Sequence, residues 1–283
     1  MAREINIVIN NLSFGEAPRW RADGLYFSDV HADRVMVLRG DGGLEAVMSA
    51  SGPVSGLGWL PDGRMLVVSM LDKRVLRLEP DGATAVHADL SELATGPAND
   101  MIVGPTGVAY VGNFGFSLFP PEPPKLAVLA AVAPDGHVTV AAEDLFFPNG
   151  MVITPDGRTL IVGESGGQCL TAFDIADNGG LSNRTEWAAL GDGALPDGIC
   201  LDAEGAIWVA SPPTNEVLRI RQGGEVLERI ATDQQAIACV LGGVDRKTLY
   251  VFTAESTEPA FCREHHTARL LAINVDVPGA GWP

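Results

Sequence analysis

Four oxygen-bearing residues fall at the same phase of a repeating pattern in this chain and could together bind a cation. Each precedes a short hydrophobic run by about the same distance; the four are Glu16, Asn99, Asn149 and Asp197. Two carboxylates and two amide carbonyls, without cysteine or histidine, suit a hard divalent cation such as Ca²⁺, Mg²⁺ or Mn²⁺, and Zn²⁺ is a looser fit. Asn-Gly and Asp-Gly are also ordinary turn pairs. A Glu followed by Ala-Pro is not required by any turn, so the shared phase favours a metal site.

The elements that would position these residues are short β-strands that recur six times. Strand-like runs centred on positions 27, 68, 111, 162, 209 and 251 are separated by 41, 43, 51, 47 and 42 residues. Five of the six follow a turn that contains glycine, such as Pro61-Asp62-Gly63, because glycine accepts a positive φ. Each period holds about four strands, which is typical of a β-propeller blade. The sequence therefore predicts an all-β protein, with residues 1–283 forming a single six-bladed β-propeller of four-stranded antiparallel blades.

The N-terminal run Ile5-Asn6-Ile7-Val8-Ile9 precedes the first repeat and has no partner within it. We predict that it forms the outer edge of the last blade, which closes the ring and removes an open sheet edge. The innermost strand of each propeller blade lines the central channel, so the residues before these strands gather at one mouth. By the same count, the second and sixth repeats contribute Gly56 and Ala238 to this ring.

Composition and charge exclude several classes of partner. Hydrophobic residues make up 46% of the chain, and the net charge is −17, which opposes binding to nucleic acids and to anionic membrane surfaces. No run approaches the ~18 apolar residues that a membrane span needs, and the N-terminus lacks the pattern of a secretory signal, so a cytoplasmic protein is expected. The four cysteines fit no metal or disulfide pattern and are expected to be buried free thiols. A small-molecule substrate and a monomer are expected, since a closed ring needs no partner.

Longer motifs surround the four oxygen-bearing residues: Gly15-Glu16-Ala17-Pro18-Arg19-Trp20, Asn99-Asp100, Phe147-Pro148-Asn149-Gly150-Met151 and Pro196-Asp197-Gly198-Ile199-Cys200-Leu201-Asp202. Their set and order resemble the SMP-30/gluconolactonase/LRE-like family. The resemblance implies a six-bladed propeller that binds one catalytic divalent metal, usually Ca²⁺ or a substitute such as Mn²⁺, Mg²⁺ or Zn²⁺. It implies that Glu16, Asn149 and Asp197 are the metal ligands, that Asp197 is also the catalytic acid/base, and that Asn99 contacts substrate or metal-bound water.

The function that this resemblance implies is metal-dependent hydrolysis of a lactone or a related ester. A cation at the channel mouth polarises the carbonyl and lowers the pKa of bound water, and a neighbouring carboxylate accepts the proton of the attacking water. Three alternatives stay open: a non-hydrolytic enzyme of the strictosidine-synthase type, a propeller that only binds partners, and a phosphotriester hydrolase.

The third repeat points to a less polar substrate than a sugar lactone. Sugar-lactonase members often carry an arginine two residues before the asparagine of this repeat, and here that position is Pro97. The same repeat contains a long apolar loop, residues 113–124, which could form a lid over the site. From this loop we predict Phe114, Phe116 and Glu122 as substrate-binding residues. For the two phenylalanines, packing between blades is the alternative.

Other residues receive structural interpretations. Ser165 and Ser211 lack the G-x-S-x-G context of a serine hydrolase. Asp29 and Glu164 are expected to hydrogen-bond neighbouring turns. The five histidines are scattered, and no catalytic role is predicted for them. His265 and His266 fall in a charged insert, residues 258–267, which is predicted to be solvated, with the pocket rim as the alternative.

Overall fold

The computed structural model describes residues 3–281 as six four-stranded antiparallel blades arranged in a ring. This confirms the predicted six-bladed β-propeller. The N-terminal strand is β1 (Ile5–Leu12). The strands of the first three blades, from the innermost outward, are β2 (Gly15–Arg21), β3 (Gly24–Asp29), β4 (Arg34–Leu38) and β5 (Leu44–Ser49); β6 (Val54–Trp59), β7 (Met65–Ser69), β8 (Arg74–Leu78) and β9 (Thr84–Asp89); β10 (Ala98–Val103), β11 (Ala109–Asn113), β12 (Ala127–Val132) and β13 (Val138–Leu145).

The last three blades follow the same order and include the ring closure. Their strands are β14 (Pro148–Ile153), β15 (Thr159–Glu164), β16 (Cys169–Ile175) and β17 (Leu181–Ala189); β18 (Ile199–Leu201), β19 (Ile207–Ser211), β20 (Glu216–Ile220) and β21 (Val226–Ala231); β22 (Gln235–Gly242), β23 (Thr248–Ala254), β24 (Ala268–Asn274) and the N-terminal β1. Strand β1 pairs antiparallel with β24, with Ile5 opposite Ile273 and Leu12 opposite Ala268. The predicted closure by the N-terminal strand is confirmed.

The hydrophobic core lies between neighbouring blades, because each blade is a sheet that must bury both faces. Each of the six blade interfaces has its own cluster of buried side chains. At the interface of the first and last blades, the rings of Phe27 and Phe252 lie 4.8 Å apart between centroids. Near the axis the strands approach so closely that a Cβ atom on Gly56 would lie 2.4 Å from the backbone nitrogen of Met101. Glycine at this position therefore lets the inner strands meet.

The connections between strands follow the turn chemistry of the sequence. In the Pro61-Asp62-Gly63 turn, Gly63 has a φ of +88°, and the Asp62 carboxylate accepts a hydrogen bond from the Arg64 amide at 3.0 Å. A charged segment of the last blade instead forms the short helix α1 (Pro259–His265). No helix within residues 3–281 is long and apolar enough to cross a membrane. All four cysteines are free thiols; Cys169 is partly buried and the other three are buried.

Candidate metal and substrate site

The site lies at the start of the inner strands, where the sheet register is interrupted in the same way in several blades. Pairing with the second strand shifts between Glu16 and Arg19 in β2, between Ala98 and Met101 in β10 and between Pro148 and Met151 in β14. Such bulges re-aim side chains away from the regular alternation of a strand. Asn99 and Asn149 lie inside these bulges and Glu16 borders one, so their side chains reach the channel mouth.

The structure changes the ring positions assigned to the second and last blades. In β6 the register shift falls between Val54 and Leu57, and Ser55 is the residue that lines the cavity. Gly56 instead faces the backbone of β10. In the last blade the shift lies between Ala236 and Ala238, which places Ile237 at the equivalent position. A fixed count along the chain missed these positions because the length of each bulge was not visible in the sequence.

A cavity of about 460 Å³ opens at this mouth and brings together the four residues of the predicted site. Glu16, Asn99, Asn149 and Asp197 all line it. Most of the remaining wall is apolar. Apart from proline and alanine, its apolar side chains are Phe14, Val30, Met70, Leu71, Phe114, Leu118, Phe119 and Phe147. A polar base beneath apolar walls, in a space of this size, is the usual form of a small-molecule site.

Glu16 is buried, with 8% of its surface exposed. One carboxylate oxygen, Oε2, accepts a hydrogen bond from the amide of Ala17 at 2.8 Å, and Ala17 has the left-handed φ of +48°. Burial, together with the nearby negative charges of Asp197 and Asp100, raises the pKa of Glu16 well above its ordinary value. Strained backbone next to a buried carboxylate is a combination that clusters at functional sites.

Asp197 lies just before β18 and is held by its backbone, since its amide donates to the carbonyl of Ala210 at 2.9 Å. Burial raises the pKa of the Asp197 carboxyl to about 8, Asp100 adds to this shift, and the side chain of Asn149 opposes it. Nδ2 of Asn149 donates to Oγ of Ser165 at 3.2 Å, and that hydroxyl donates to the carbonyl of Pro196 at 2.6 Å. Ser165 therefore links the Asn149 side chain to the backbone beside Asp197.

Two acidic residues hold the loops that lead into the site strands. Oδ1 of Asp29, at the end of β3, accepts hydrogen bonds from the amides of Ser13 and Phe14 at 2.8 and 3.1 Å. Oε2 of Glu164, at the end of β15, accepts from the amide of Phe146 at 2.6 Å. The expectation that Asp29 and Glu164 bond neighbouring turns is confirmed. Both carboxylates are buried, so each fixes the chain just before a bulge.

A buried ion pair lies beside the site and was not anticipated from the sequence. The guanidinium of Arg19 donates to Oδ1 of Asp100 at 2.8 Å, to the carbonyl of Leu57 at 3.1 Å and to the carbonyl of Met101 at 2.6 Å. Both charged side chains are at most 7% exposed. The arginine thus ties together the inner strands of the first three blades. Arg19 and Asp100 stand inside the motifs, but their contact depends on strands that are distant in the chain.

The donor set fits a hard divalent cation. Asn149 donates through Nδ2 to Ser165, and the hydroxyl of Ser55, on the same cavity wall, is buried without a partner among the residues described. Burial raises the pKa of the carboxyl groups of both Glu16 and Asp197, and the negative charge of Asp197 raises the pKa of Glu16 further. A bound cation would favour the ionised form of both groups. Within residues 3–281 no three Asp, Glu, His or Cys side chains form a metal cluster by themselves, so a cation here would also need the amide oxygen of Asn149.

The loop of residues 113–124 contributes to the cavity wall, but not through all of the predicted residues. Phe114 lines the cavity and stacks on Phe147, with 4.4 Å between ring centroids. Phe116 is buried behind this pair, 5.8 Å from Phe147, and is not on the wall. Glu122 lies outside the cavity, and its carboxylate accepts a hydrogen bond from the amide of Ser117 at 3.2 Å. Leu118 and Phe119 occupy the wall instead.

The charged insert of the last blade forms part of the opposite wall through α1. His265 and His266 are exposed, as expected, and are absent from the cavity. The insert reaches the cavity through Thr257, Glu258, Pro259, Ala260 and Arg263. His31 also lines the cavity, and burial together with the charge of Arg263 lowers its pKa to about 4. No periodic signal in the sequence identified Arg263, because the helix is too short for one.

Fold and site together define a six-bladed β-propeller with a small-molecule cavity at one mouth of its ring. A family model described as the SMP-30/Gluconolactonase/LRE-like region matches residues 14–255. The chain belongs to this family, as the motifs around Glu16, Asn149 and Asp197 had indicated.

Several relatives of known name are similar to this chain. It is 26% identical to the 6-deoxy-6-sulfogluconolactonase of Pseudomonas putida over 280 residues, which covers 95% of this chain and 94% of that protein. It is 26% identical to a pentonolactonase of Haloferax volcanii over 88% of this chain and 84% of the relative. Regucalcin of Danio rerio is 33% identical over 175 residues, 60% of this chain and 58% of its own length. Relatives named as lactonases support a lactone-hydrolase class for this chain.

Solved structures share the fold. A luciferin-regenerating enzyme superposes with a TM-score of 0.83 at 19% identity, covering 98% of this chain and 97% of its own. A calcium-binding protein, regucalcin, from Agrobacterium tumefaciens superposes with a TM-score of 0.83 at 22% identity, covering 100% and 97%. At these identities the likeness shows the propeller fold alone.

Proposed function

We propose that this protein is a divalent-metal-dependent hydrolase that opens a lactone, and that its substrate is less polar than a sugar lactone. The observation that carries the proposal is the convergence of Glu16, Asn149 and Asp197 at the base of a mostly apolar cavity. Burial raises the pKa values of the two carboxyl groups there, so a bound cation would favour their ionised forms. Family membership and relatives named as lactonases support the same reaction.

Glu16, Asn149 and Asp197 would hold the metal, with Ca²⁺ as the first choice, because carboxylate and amide oxygens suit hard cations. Mn²⁺ and Mg²⁺ suit the same donors, and Zn²⁺ suits them less well since neither nitrogen nor sulfur is present. When bound, the metal supplies a positive charge that polarises a carbonyl and acidifies water. The name of the calcium-binding regucalcin relative supports a divalent cation in this family.

Asp197 would act as the general acid/base of the reaction. Its carboxylate accepts a proton from the water molecule whose oxygen bonds to the lactone carbonyl carbon. As the ring C–O bond breaks, the proton passes to the departing ring oxygen, so the product is a hydroxy acid. Without a cation, burial raises the pKa of Asp197 to about 8; a bound cation would lower it, which would leave the carboxylate ionised and able to accept a proton at neutral pH. Asn99, on the same wall, would orient the substrate through its amide.

The apolar wall is what separates the proposed substrate from a sugar lactone. Phe114, stacked on Phe147, and Phe119 face the cavity, and Pro97 lines it where sugar-lactonase members often carry arginine. An alkyl or aryl substituent would bury apolar surface there at about 25 cal/mol per Å², whereas a row of hydroxyls would be left without partners. Phe116 would support Phe147 from behind. A role for Glu122 would require the loop to rearrange.

A metal titration with a lactone panel tests the proposal. The metal-stripped protein is loaded in turn with Ca²⁺, Mn²⁺, Mg²⁺ and Zn²⁺ and assayed on alkyl-substituted γ- and δ-lactones beside gluconolactone, an aryl ester and a phosphotriester. We expect metal-stimulated turnover with the alkyl lactones as the better substrates. Absence of metal-stimulated turnover on every compound would overturn the hydrolase proposal and favour a binding propeller.

Two substitutions test the residues separately. We expect Asp197→Asn to lower kcat by at least about 100-fold, the usual contribution of a general acid/base. Calorimetry should show weaker divalent binding for Glu16→Gln and unchanged binding for the control Glu143→Gln, which alters an exposed glutamate on β13. Full activity of Asp197→Asn, or unchanged metal affinity of Glu16→Gln, would contradict the assigned site.

A further inference from the structure

Helix α1 is firmly attached to the body of the protein even though it lies at the cavity rim. The carboxylate of Glu258 caps it by accepting hydrogen bonds from the amides of Ala260 and Phe261 at 3.1 and 2.6 Å. Cys262 is buried in the cluster shared by the first and last blades, and its Sγ donates to the carbonyl of Ser256 at 3.1 Å. The helix packs against the 3₁₀ turn Val30–Ala32. It therefore holds its cavity-facing side chains in a defined place.

Arg263 is the only arginine or lysine on the cavity wall within the described part of the chain. Most arginines of this protein pair with a carboxylate within 4 Å, as Arg19 does with Asp100, but Arg263 makes no such pair among residues 3–281. The acidic neighbour Glu258 already binds two backbone amides. The guanidinium of Arg263 is exposed and thus available to a ligand.

The positive charge of Arg263 affects another residue of the cavity wall. It acts on His31, on the opposite side of the contact between α1 and the 3₁₀ turn, where it adds to burial in lowering the pKa of the imidazole. His31 is therefore neutral at pH 7 and does not compete for an anion. Three carboxyl groups also line the wall. Glu16 and Asp197 are proposed metal ligands, and Glu258 lies on the same insert as Arg263 but already accepts hydrogen bonds from two backbone amides. The wall thus combines acidic residues of the proposed metal site, an apolar part, and one guanidinium near a carboxylate that caps its helix.

We propose that Arg263 determines substrate specificity by binding an anionic group, in the simplest case a carboxylate, at the far end of an apolar substituent on the lactone. This rests on the proposed function and names its substrate class, an amphiphilic lactone. Guanidinium binds carboxylate with two parallel hydrogen bonds, and the phenylalanine-rich wall between rim and base accommodates the apolar part. With a net charge of −17, the protein repels anions unless a local cation receives them. Arg263 supplies that cation.

The test uses two γ-lactones with the same alkyl side chain, one ending in a carboxylate and the other in a neutral primary amide. For the metal-loaded wild-type protein we expect kcat/KM to be about tenfold higher for the carboxylate, as one charge-assisted hydrogen-bonded pair provides. Arg263→Met should remove this preference by raising KM for the carboxylate substrate, with kcat unchanged. The kcat/KM of the same variant for the amide substrate should equal that of wild type. Arg263→Lys should restore part of the preference for the carboxylate. The control Arg158→Met alters an exposed arginine outside the cavity. It should leave kcat/KM unchanged for both substrates.

The outcomes separate this inference from the proposed function. Turnover of both lactones with no carboxylate preference, or a preference that survives Arg263→Met, would overturn the role of Arg263 while the hydrolase stands. Absence of all turnover would overturn the hydrolase. In that case calorimetric binding of octanoate decides the role of Arg263: about tenfold weaker binding by Arg263→Met supports the anion site, and equal binding overturns it.

Discussion

The two ends of the inner ring differ in both charge and space, although the same six strands build them. At the first residues of these strands, Glu16, Asn149 and Asp197 surround a cavity of about 460 Å³. A few residues farther along, Arg19, Cys200 and other inner-strand residues leave only about 20 Å³. The polar bulges thus border the larger space, and the side chains beyond them leave little room between the inner strands.

Charge follows the same division. The open end holds buried carboxyl groups with raised pKa values, while the narrow end contains the guanidinium groups of Arg19 and Arg246. The guanidinium of Arg19 forms an ion pair with Asp100, which lies near the open end. Nε of Arg246 is buried without a partner, and burial lowers the pKa of this arginine. The comparison indicates that Arg19 stabilises the fold at the narrow end through its ion pair and backbone hydrogen bonds, whereas the acids of the open end line a cavity that a ligand can enter.

The largest expected effect comes from removing the cation that joins the two ends. Arg19→Met leaves Asp100 buried beside the site without its partner, and loss of one member of a buried pair costs about 3–5 kcal/mol. We expect the free energy of unfolding to fall by that amount in urea titrations. The control Arg158→Met alters an exposed arginine without a carboxylate partner among the residues described. Its free energy of unfolding should stay within about 0.5 kcal/mol of the wild-type value.

A second variant distinguishes charge from packing. In Arg19→Met combined with Asp100→Asn, no charge is left unpaired, so the loss should be smaller than for Arg19→Met alone. An equal or larger loss in the double variant would mean that the hydrogen bonds of Arg19 to the backbone carbonyls, and not the ion pair, stabilise this end of the ring.

The next effect concerns how the stability of the metal-free protein depends on pH. The pKa values of Glu16, Asp100 and Asp197 are raised, mainly by burial. Such groups favour the folded state while they are protonated, and this contribution is lost as the pH rises from their unfolded values near 4 through their folded values, about 8 for Asp197. We therefore expect the free energy of unfolding of the metal-free wild type to fall between pH 5 and pH 9. The decrease should exceed that of Asp197→Asn by on the order of a few kcal/mol. Chemical unfolding at several pH values measures this difference.

Calcium should reverse that loss, since a bound cation favours the ionised carboxylates. Saturating Ca²⁺ at pH 9 is expected to raise the stability of wild type more than that of Asp197→Asn. If the free energy of unfolding of the two metal-free proteins changed with pH in the same way, the expectation that ionised Asp197 destabilises the metal-free fold would be wrong.

The smallest effect tests how the open end is organised. Ser165→Ala removes the hydroxyl to which Asn149 donates, and loss of a residue that orients a metal ligand weakens affinity by about 10- to 100-fold. Calorimetry with Ca²⁺ should show this decrease, and Ser165→Thr should preserve most of the affinity. Ser182→Ala changes an exposed serine on β17 and should bind like wild type. Unchanged affinity of Ser165→Ala would mean that Asn149 is oriented by the bulge alone.

Much of the fold was readable because a propeller is built from local patterns. Turns such as Pro61-Asp62-Gly63 and the strands after them have the same chemistry in nearly every blade, and their spacing gave the number of blades. The pairing of β1 with β24 was also predictable, since the N-terminal run had no partner nearby. Candidate ligands were found for the same reason, as Glu16 and Asp197 occupy equivalent places in their repeats.

The sequence by itself determined the six-bladed ring and the identity of the oxygen donors at its mouth. Only the tertiary structure decided that Ser55 and not Gly56 faces the cavity, that Ser165 holds Asn149, that Glu122 lies off the wall, and that Arg263 lies at the rim. The physical reason is that strands and turns depend on neighbours in the chain, which a repeat makes visible. The bulges, the loop of residues 113–124 and helix α1 take their positions from packing between blades, and those contacts join residues that are distant in the sequence.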